Sequence, residues 1–405
     1  MTKLEELIER LCPDGVEYKE IGSIAVLGAG GDVPKARFSE EKTVEFNIPI
    51  YSNGIEEKAI YGYTDIPKVD EPSITISARG TIGWCALRKE PFYPIVRLIY
   101  VTPNNEILVD FLKYVIDTIK FKVPKTGIPQ LTIPMVSKYK IPVPPLEVQR
   151  EIVRILDKFT FLTAELAAEL AARQKQYEYY RDLLLTFKSN ESTILNERTN
   201  ELELSGAIRW MKLGDIAKFT YGYTDKAKDF GNARFIRITD ITEDGCLNSQ
   251  GAKYINLTAD SKKYLLNYGD LLLARTGATY GKTLYFSSDI PAVYASFLIK
   301  ITLDNNIISN RFYWHFSKSR LYWEQAEKLV SQGGQQQFNT NAVSRVNIPV
   351  PPLEVQQRIV DILDRFDTLC NDISSGLPAE IEMRQKQYEY YRDKLLTFKE
   401  LKKEA

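Results

Sequence analysis

Ile141 to Gln149 reads IPVPPLEVQ, and Ile348 to Gln356 reads the same nine residues at an offset of 207. The identity continues through Ile152 and Ile359, Val153 and Val360, Ile155 and Ile362, Leu156 and Leu363, Asp157 and Asp364, and Phe159 and Phe366. Downstream, RQKQYEYYRD stands at Arg173–Asp182 and again at Arg384–Asp393, now offset by 211. A repeat on this scale means a duplicated architecture. Upstream the register holds faintly, pairing Gly127 with Gly334, Gln130 with Gln337 and Ser137 with Ser344. Tyr18–Ala25 resembles Trp210–Ala217, and Ala78-Arg79-Gly80-Thr81 resembles Ala274-Arg275-Thr276-Gly277. The order along the chain is variable, helical, variable, helical.

The repeated segments have the pattern of long helices. Pro145 suits a first helical turn, where its missing N–H costs nothing. Apolar residues then step by three or four through Ile152, Leu156, Phe159, Leu162, Leu166, Leu170, Tyr177, Tyr180, Leu184 and Phe187, a coiled-coil-like seam. A continuous helix over 146–188 would be ~65 Å long at ~1.5 Å per residue, too long to stand without a partner. In the second copy Gly376-Leu377-Pro378 should break the rod. Two such helices in one chain pair most simply as an antiparallel coiled coil, with pseudo-twofold symmetry. The termini are then expected close together, Leu4, Leu7, Ile8 and Leu11 forming an opening amphipathic helix that Thr193–Leu204 mirrors after the first rod.

The expected fold is mixed α/β (α+β), with two globular domains separated by the paired helices. The boundaries are 1–140 for the first domain, 141–188 for the central helix, 189–206 for a linker, 207–347 for the second domain and 348–405 for the closing helix. At 405 residues with 44% hydrophobic and 26% charged, the composition excludes a single small domain and a disordered chain. No apolar run reaches the ~18 residues of a membrane helix, and acidic Glu5, Glu6 and Glu9 stand where a signal peptide is basic. A cytoplasmic protein with no membrane partner is expected.

Catalytic signatures are missing. Cys12, Cys85, Cys246 and Cys370 are too far apart for a metal or redox pair. The one histidine, His315, lies in the run Phe312-Tyr313-Trp314-His315-Phe316, which reads as packed core and leaves a Ser-His-Asp triad a single poor candidate. Gly277–Thr283 reads GATYGKT, one residue short of a phosphate-binding loop. Pro13-Asp14 and Glu17-Tyr18-Lys19 mimic a nuclease string without room for two strands around a metal. Pro144-Pro145 lacks the flanking Asp or Asn and aromatic residue that an amino-methyltransferase uses. No catalytic, metal or cofactor site is therefore expected in this chain.

The 53 basic residues balance 53 acidic ones, but unevenly. Between Ile208 and Asn347, 18 Lys and Arg stand against 12 Asp and Glu, so at least this domain can present a basic face. Arg79 and Thr81 in the first domain, and Arg275, Thr279, Tyr280 and Lys282 in the second, lie in Gly- and Thr-rich loops after strand-like runs. Glycine there lets backbone approach a phosphate, and arginine can read guanine edges. The plain alternative is a hairpin turn that the arginine caps.

PPLEVQ at both helix starts, the QYEYYRD segments, the Leu-Leu-Thr-Phe ends and the alternation of variable with repeated regions resemble the specificity subunits of type I restriction-modification systems, over essentially the whole chain. The resemblance implies two target-recognition domains, each reading one half of a bipartite double-stranded DNA sequence. It implies that the paired helices dock two methyltransferase subunits carrying S-adenosylmethionine, joined by two ATP- and Mg-dependent translocase/nuclease subunits in the restriction enzyme. Leu146, Gln149, Tyr177, Tyr180, Leu353, Gln356, Tyr388 and Tyr391 are then candidate helix-seam and docking residues. Thr163-Ala164-Glu165-Leu166 followed by Ala167-Ala168-Glu169-Leu170 is a tandem four-residue unit whose ~6 Å of helix is expected to help set the gap between half-sites. Rival readings are a fused enzyme, for which the chain leaves no room, and a protein-interaction scaffold that does not read DNA.

Overall fold

A computed structural model describes residues 2–123, 129–187, 208–248, 250–331, 336–372 and 375–401. The expected counterpart helix at Thr193–Leu204, the linker 189–206, Gly127 and Gly334 lie outside the described residues. The chain divides into two compact units, one of Met1–Glu165 with Glu382–Ala405 and one of Leu166–Ile381. The first unit therefore joins two segments far apart in sequence, and the second is one continuous stretch.

The first unit opens with the helix Lys3–Leu11, whose start is fixed by a capping box: Thr2 accepts from the Glu5 amide and Glu5 accepts from the Thr2 amide. Nine strands follow, β1 Glu17–Glu20, β2 Ala25–Ala29, β3 Ile48–Tyr51, β4 Ile60–Thr64, β5 Ser73–Ser77, β6 Cys85–Arg88, β7 Tyr93–Pro94, β8 Leu98–Pro103 and β9 Lys140–Val143. They form a four-stranded antiparallel sheet in the order β2-β8-β5-β6, a three-stranded sheet β4-β3-β7 and the pair β1-β9. Helix Val109–Thr118 shares the core with the larger sheet through Phe111, Leu112 and Val115, packed with Ile74, Ile76 and Val101.

The second unit repeats the plan with β10 Arg209–Lys212, β11 Ala217–Tyr221, β12 Ala233–Ile236, β13 Tyr254–Ile255, β14 Leu271–Ala274, β15 Thr283–Tyr285, β16 Ala292–Tyr294, β17 Leu298–Leu303 and β18 Asn347–Val350. Its sheets run β11-β17-β14-β15 and β13-β12-β16, with the pair β10-β18. Even the parallel pairing recurs, β3 with β7 and β12 with β16. At the base of each unit Lys19 pairs with Ile141 and Met211 with Ile348. Gly22 and Gly214 let the chain pass so close to Ser137 and Ser344 that an added Cβ would sit 2.9 Å from either serine's own, so the faint sequence pairing of the two serines is structural.

The strand–Pro-Pro segments deliver the chain into helices Leu146–Leu185 and Leu353–Asn371. The first holds 40 residues, ~60 Å at ~1.5 Å per residue, and Lys188 lies outside the described residues. The second ends at Asn371, and a fresh helix, Leu377–Leu395, starts with Pro378 in its first turn, so the expected break falls at Gly376. The apolar stripe on Leu146–Leu185 is used in two sets. Val148, Ile152 and Leu156 are buried in the first unit's core, and Tyr177, Leu184 and Leu185 in the second's. Leu162 between them is 46% exposed, so the expected seam is interrupted there as well as at the polar Arg173 and Gln174. In the second unit the pairing is antiparallel: Phe366 stacks on Tyr177 and Tyr180, while Asn371 lies beside Gln174 in one depression.

The described residues near the two ends of the chain meet in the first unit. Val16 and Lys399–Leu401 exchange backbone hydrogen bonds at 2.9 Å, and the Tyr18 hydroxyl donates to the Phe398 carbonyl at 3.1 Å. Among the described residues no helix is long and apolar enough to cross a membrane, and no His, Cys, Asp and Glu cluster could hold a metal.

Candidate nucleic-acid interface and helix junctions

At the first helix start, the Gln149 amide donates to the Glu106 and Pro144 carbonyls at 3.0 and 2.8 Å and accepts from the Leu108 N–H at 2.8 Å. Gln356 donates to the Ile307 and Pro351 carbonyls at 2.9 and 2.8 Å and accepts from the Ser309 N–H at 2.9 Å. Both glutamines are fully buried. The expectation that they face a partner subunit is thus corrected: each amide ties the helix start to the loop before the domain's own helix, satisfying backbone groups that no secondary structure serves. Leu146 is half-buried, and Leu353 is 44% exposed.

About two turns further along, the Tyr114 hydroxyl donates to Asp157 Oδ1 at 2.6 Å, and His315 Nε2 meets Asp364 Oδ1 at 2.6 Å. Asp157 and Asp364 are sequence repeats; Tyr114 and His315 are equivalent only in space. His315 Nε2 donates to Asp364, leaving Nδ1 to accept from the Tyr177 hydroxyl 3.3 Å away, a set of partners that a neutral imidazole satisfies. Burial of the ring, partly offset by the hydrogen bond to Asp364, pulls its pKa down to about 4. Arg311 adds an ion pair to Asp364 at 2.7 Å, and Lys318 one to Asp367 at 3.0 Å, its ammonium 3.4 Å above the Trp314 ring. His315 is packed core at the domain–helix junction.

Tyr177, Tyr180, Tyr388 and Tyr391 face inward. Tyr177 is buried, Tyr180 stacks on Phe366, Tyr391 stacks on Phe159, and Tyr388 packs against the first unit's core. Of the two roles expected for them, helix seam and docking surface, they take the seam, the role Tyr177 and Tyr388 fit better in the sequence. The tyrosines that do face outward are their neighbours Tyr179 and Tyr390, 64% and 62% exposed. The QYEYYRD repeat contains both, but the seam periodicity favours the other four. In the tandem unit, Thr163, Leu166 and Leu170 are half-buried and Ala167 is exposed, all within continuous helix.

The Gly- and Thr-rich loops are the hairpin connections β5–β6 and β14–β15. Arg79 is held by Gln130, its Nε donating to Oε1 at 2.9 Å, and Thr81 donates to the Asn53 carbonyl at 3.0 Å. Arg275 donates to the Ser296 carbonyl at 3.1 Å and lies between the Tyr221 and Phe297 rings. Thr279 donates to the Thr276 carbonyl, and Tyr280 packs edge-on against Trp323 and Phe338. Lys282 is ion-paired with Glu243 and little exposed. The two arginines are not equivalent. Ser77 pairs with Leu98 and Ala274 with Leu298, so Arg275 corresponds to Ala78 and the sequence match is one residue out of register.

Beside this hairpin the second unit holds a depression of about 350 Å³ lined by Arg181, Lys282 and Lys318 and by Glu178, Glu243 and Asp244. Its charges balance, and it offers no anion site.

The family description "Type I restriction modification DNA specificity domain" matches twice, at residues 13–173 and 208–383. The type I restriction enzyme EcoR124I/EcoR124II specificity subunit of Escherichia coli is 33% identical over 75% of this chain and 74% of its own length. A putative type I restriction enzyme specificity subunit of Haemophilus influenzae is 31% identical over 98% of both chains. Among solved structures, the type I restriction-modification system S subunit from M. genitalium shares the fold, with a TM-score of 0.57 at 16% identity over 98% of this chain and 99% of that one.

Proposed function

From the premise that this chain belongs to the type I restriction-modification DNA specificity family, we propose that it is the non-catalytic subunit that selects the DNA sequence for a larger enzyme. The observation that supports this is the double match over two units with one strand plan and differing sequences between the repeated helices. Two unlike readers on one repeated frame suit a bipartite target with different half-sites. Each unit would contact one half-site of double-stranded DNA, and the helices would carry two methyltransferase subunits, Tyr179 and Tyr390 being apolar anchors on their outer faces. S-adenosylmethionine, ATP and Mg would be bound by the methyltransferase and translocase/nuclease partners, the latter also two in number, in the cytoplasm. The tandem segment Thr163–Leu170 would contribute to the length of the gap.

The test is DNA binding by this chain purified with its methyltransferase. The complex should bind duplex DNA with an affinity that falls steeply and linearly on a log–log plot against salt, because phosphate contacts release counterions. Failure to bind DNA at any salt concentration would favour the protein-interaction scaffold.

A further inference from the structure

Two tight turns occupy the same place in the two units and carry very different side chains. In the first, Ile95 to Leu98 joins β7 to β8, and the Leu98 N–H donates to the Ile95 carbonyl at 3.2 Å. In the second, Ala295 to Leu298 joins β16 to β17, and the Leu298 N–H donates to the Ala295 carbonyl at 2.9 Å. The backbone clamps match. Gly30 N–H donates to the Leu98 carbonyl at 2.7 Å and Gly222 N–H to the Leu298 carbonyl at 3.1 Å. Ala78 N–H donates to the Arg97 carbonyl at 2.9 Å and Arg275 N–H to the Phe297 carbonyl at 3.1 Å. Arg97 and Phe297 are therefore structural equivalents, each beside the hairpin loop of its own unit.

Arg97 has φ 75°, the left-handed region that glycine or asparagine takes easily at this turn position and a long side chain rarely adopts. Strain of that kind persists where the surrounding structure enforces it, and such sites gather at functional positions. The turn is pressed against its neighbouring strand: a Cβ on Gly30 would fall 1.9 Å from the Ile95 carbonyl oxygen. Arg97 is exposed, and its guanidinium makes no hydrogen bond or ion pair among the described residues, whereas Arg79 close by is held by Gln130. Phe297 is 50% exposed at the matching turn, above the Arg275 guanidinium.

A phosphate contact tolerates a loosely placed cation, but reading a base edge needs a side chain launched from a fixed backbone. Arginine pairs bidentately with guanine O6 and N7, and phenylalanine can contact the thymine methyl. We propose that Arg97 and Phe297 are the specificity-determining residues at one shared address, Arg97 reading a guanine in one half-site and Phe297 a thymine methyl in the other. This rests on the DNA-reading function proposed above.

The experiment uses the full chain with its methyltransferase subunits, methylating duplexes that carry every single base-pair substitution across the motif. Arg97→Gly should lose roughly ten- to hundred-fold discrimination at one G·C pair of one half-site, with a thermal midpoint no lower than wild type because glycine relieves the backbone. Phe297→Ala should relax one A·T pair in the opposite half-site. Wild-type discrimination at every position in either variant overturns the assignment for that unit. Uniform weakening on all sequences with a shallower salt dependence also overturns it, since that marks a phosphate contact. A wild-type complex with no bipartite preference fails before any variant is made and removes the DNA-reading function itself.

Discussion

Phe159 stacks on Tyr391 with ring centroids 5.4 Å apart and 23° between the planes, and Phe366 stacks on Tyr180 at 5.6 Å and 23°. Phe159 and Phe366 are sequence repeats, as are Tyr180 and Tyr391. Each compact unit thus closes with the start of one repeated helix against the end of the other copy, and the duplication survives at the level of individual rings.

These stacks should be energetically coupled. In a double-mutant cycle on Phe159→Ala and Tyr391→Ala, the coupling is expected at about 1 kcal/mol, the usual worth of an aromatic pair beyond its burial. Urea unfolding of the four proteins measures it, and strict additivity would contradict the pairing.

Gln149→Ala and Gln356→Ala should each destabilise by about 2–4 kcal/mol, because each removes the partner of one buried carbonyl and of a half-buried carbonyl and N–H. Thermal unfolding that resolves the two units should show each substitution lowering only the midpoint of its own unit. A loss of methyltransferase binding at unchanged stability would instead restore these residues to the partner surface.

The acid sensitivity of the second unit should carry the signature of His315. Its pKa lies below that of the unfolded chain, so the unfolded state binds the proton first, and stability is lost as pH falls from about 6.5 toward about 4. Glu151, held down to about 2 by hydrogen bonds from Arg154 and Lys3, behaves with the opposite chemistry but the same direction: its contribution is intact above about 4.5 and is lost only below that. His315→Tyr, which copies the Tyr114–Asp157 arrangement of the first unit, should abolish the loss between pH 6.5 and 5 measured by thermal midpoint against pH. A histidine-sized drop remaining in that variant would show that another group is responsible.

The repeat, the strand–Pro-Pro entry and the helix break at Gly376 are legible in the sequence because identical strings and proline geometry act locally. Tyr177, Tyr179 and Tyr180 lie within one turn; the three- and four-residue steps put Tyr177 and Tyr180 on the seam, but their packed partner, Phe366, shows only in the fold. The equivalence of Tyr114 with His315, and of Arg97 with Phe297, has no sequence signal, since the positions share their place in the fold and not residue type. The Arg79–Arg275 match misled for the converse reason: similar strings, one residue apart on the sheet. Gln149 and Gln356 carry a repeat signal, but identity alone cannot separate a buried backbone clamp from a docking residue.

Deleting Ala167–Leu170 should shorten the gap between half-sites by about two base pairs, because four residues remove ~6 Å of helix against ~3.4 Å per base pair. Four residues are close to one 3.6-residue turn, so the flanking faces keep their orientation and both half-sites should stay unchanged. The methylated motif of the deletion strain reads the gap directly, and an unchanged gap would leave the segment as ordinary spacer helix.

The most direct measurement is the methylome of cells expressing the partner methyltransferase with this chain, without it, and with residues 17–143 exchanged for those of another family member. One bipartite methylated motif should appear with the chain, vanish without it, and change in a single half-site on exchange. A motif that persists without the chain, or two half-sites that change together, would contradict a subunit built from two independent readers.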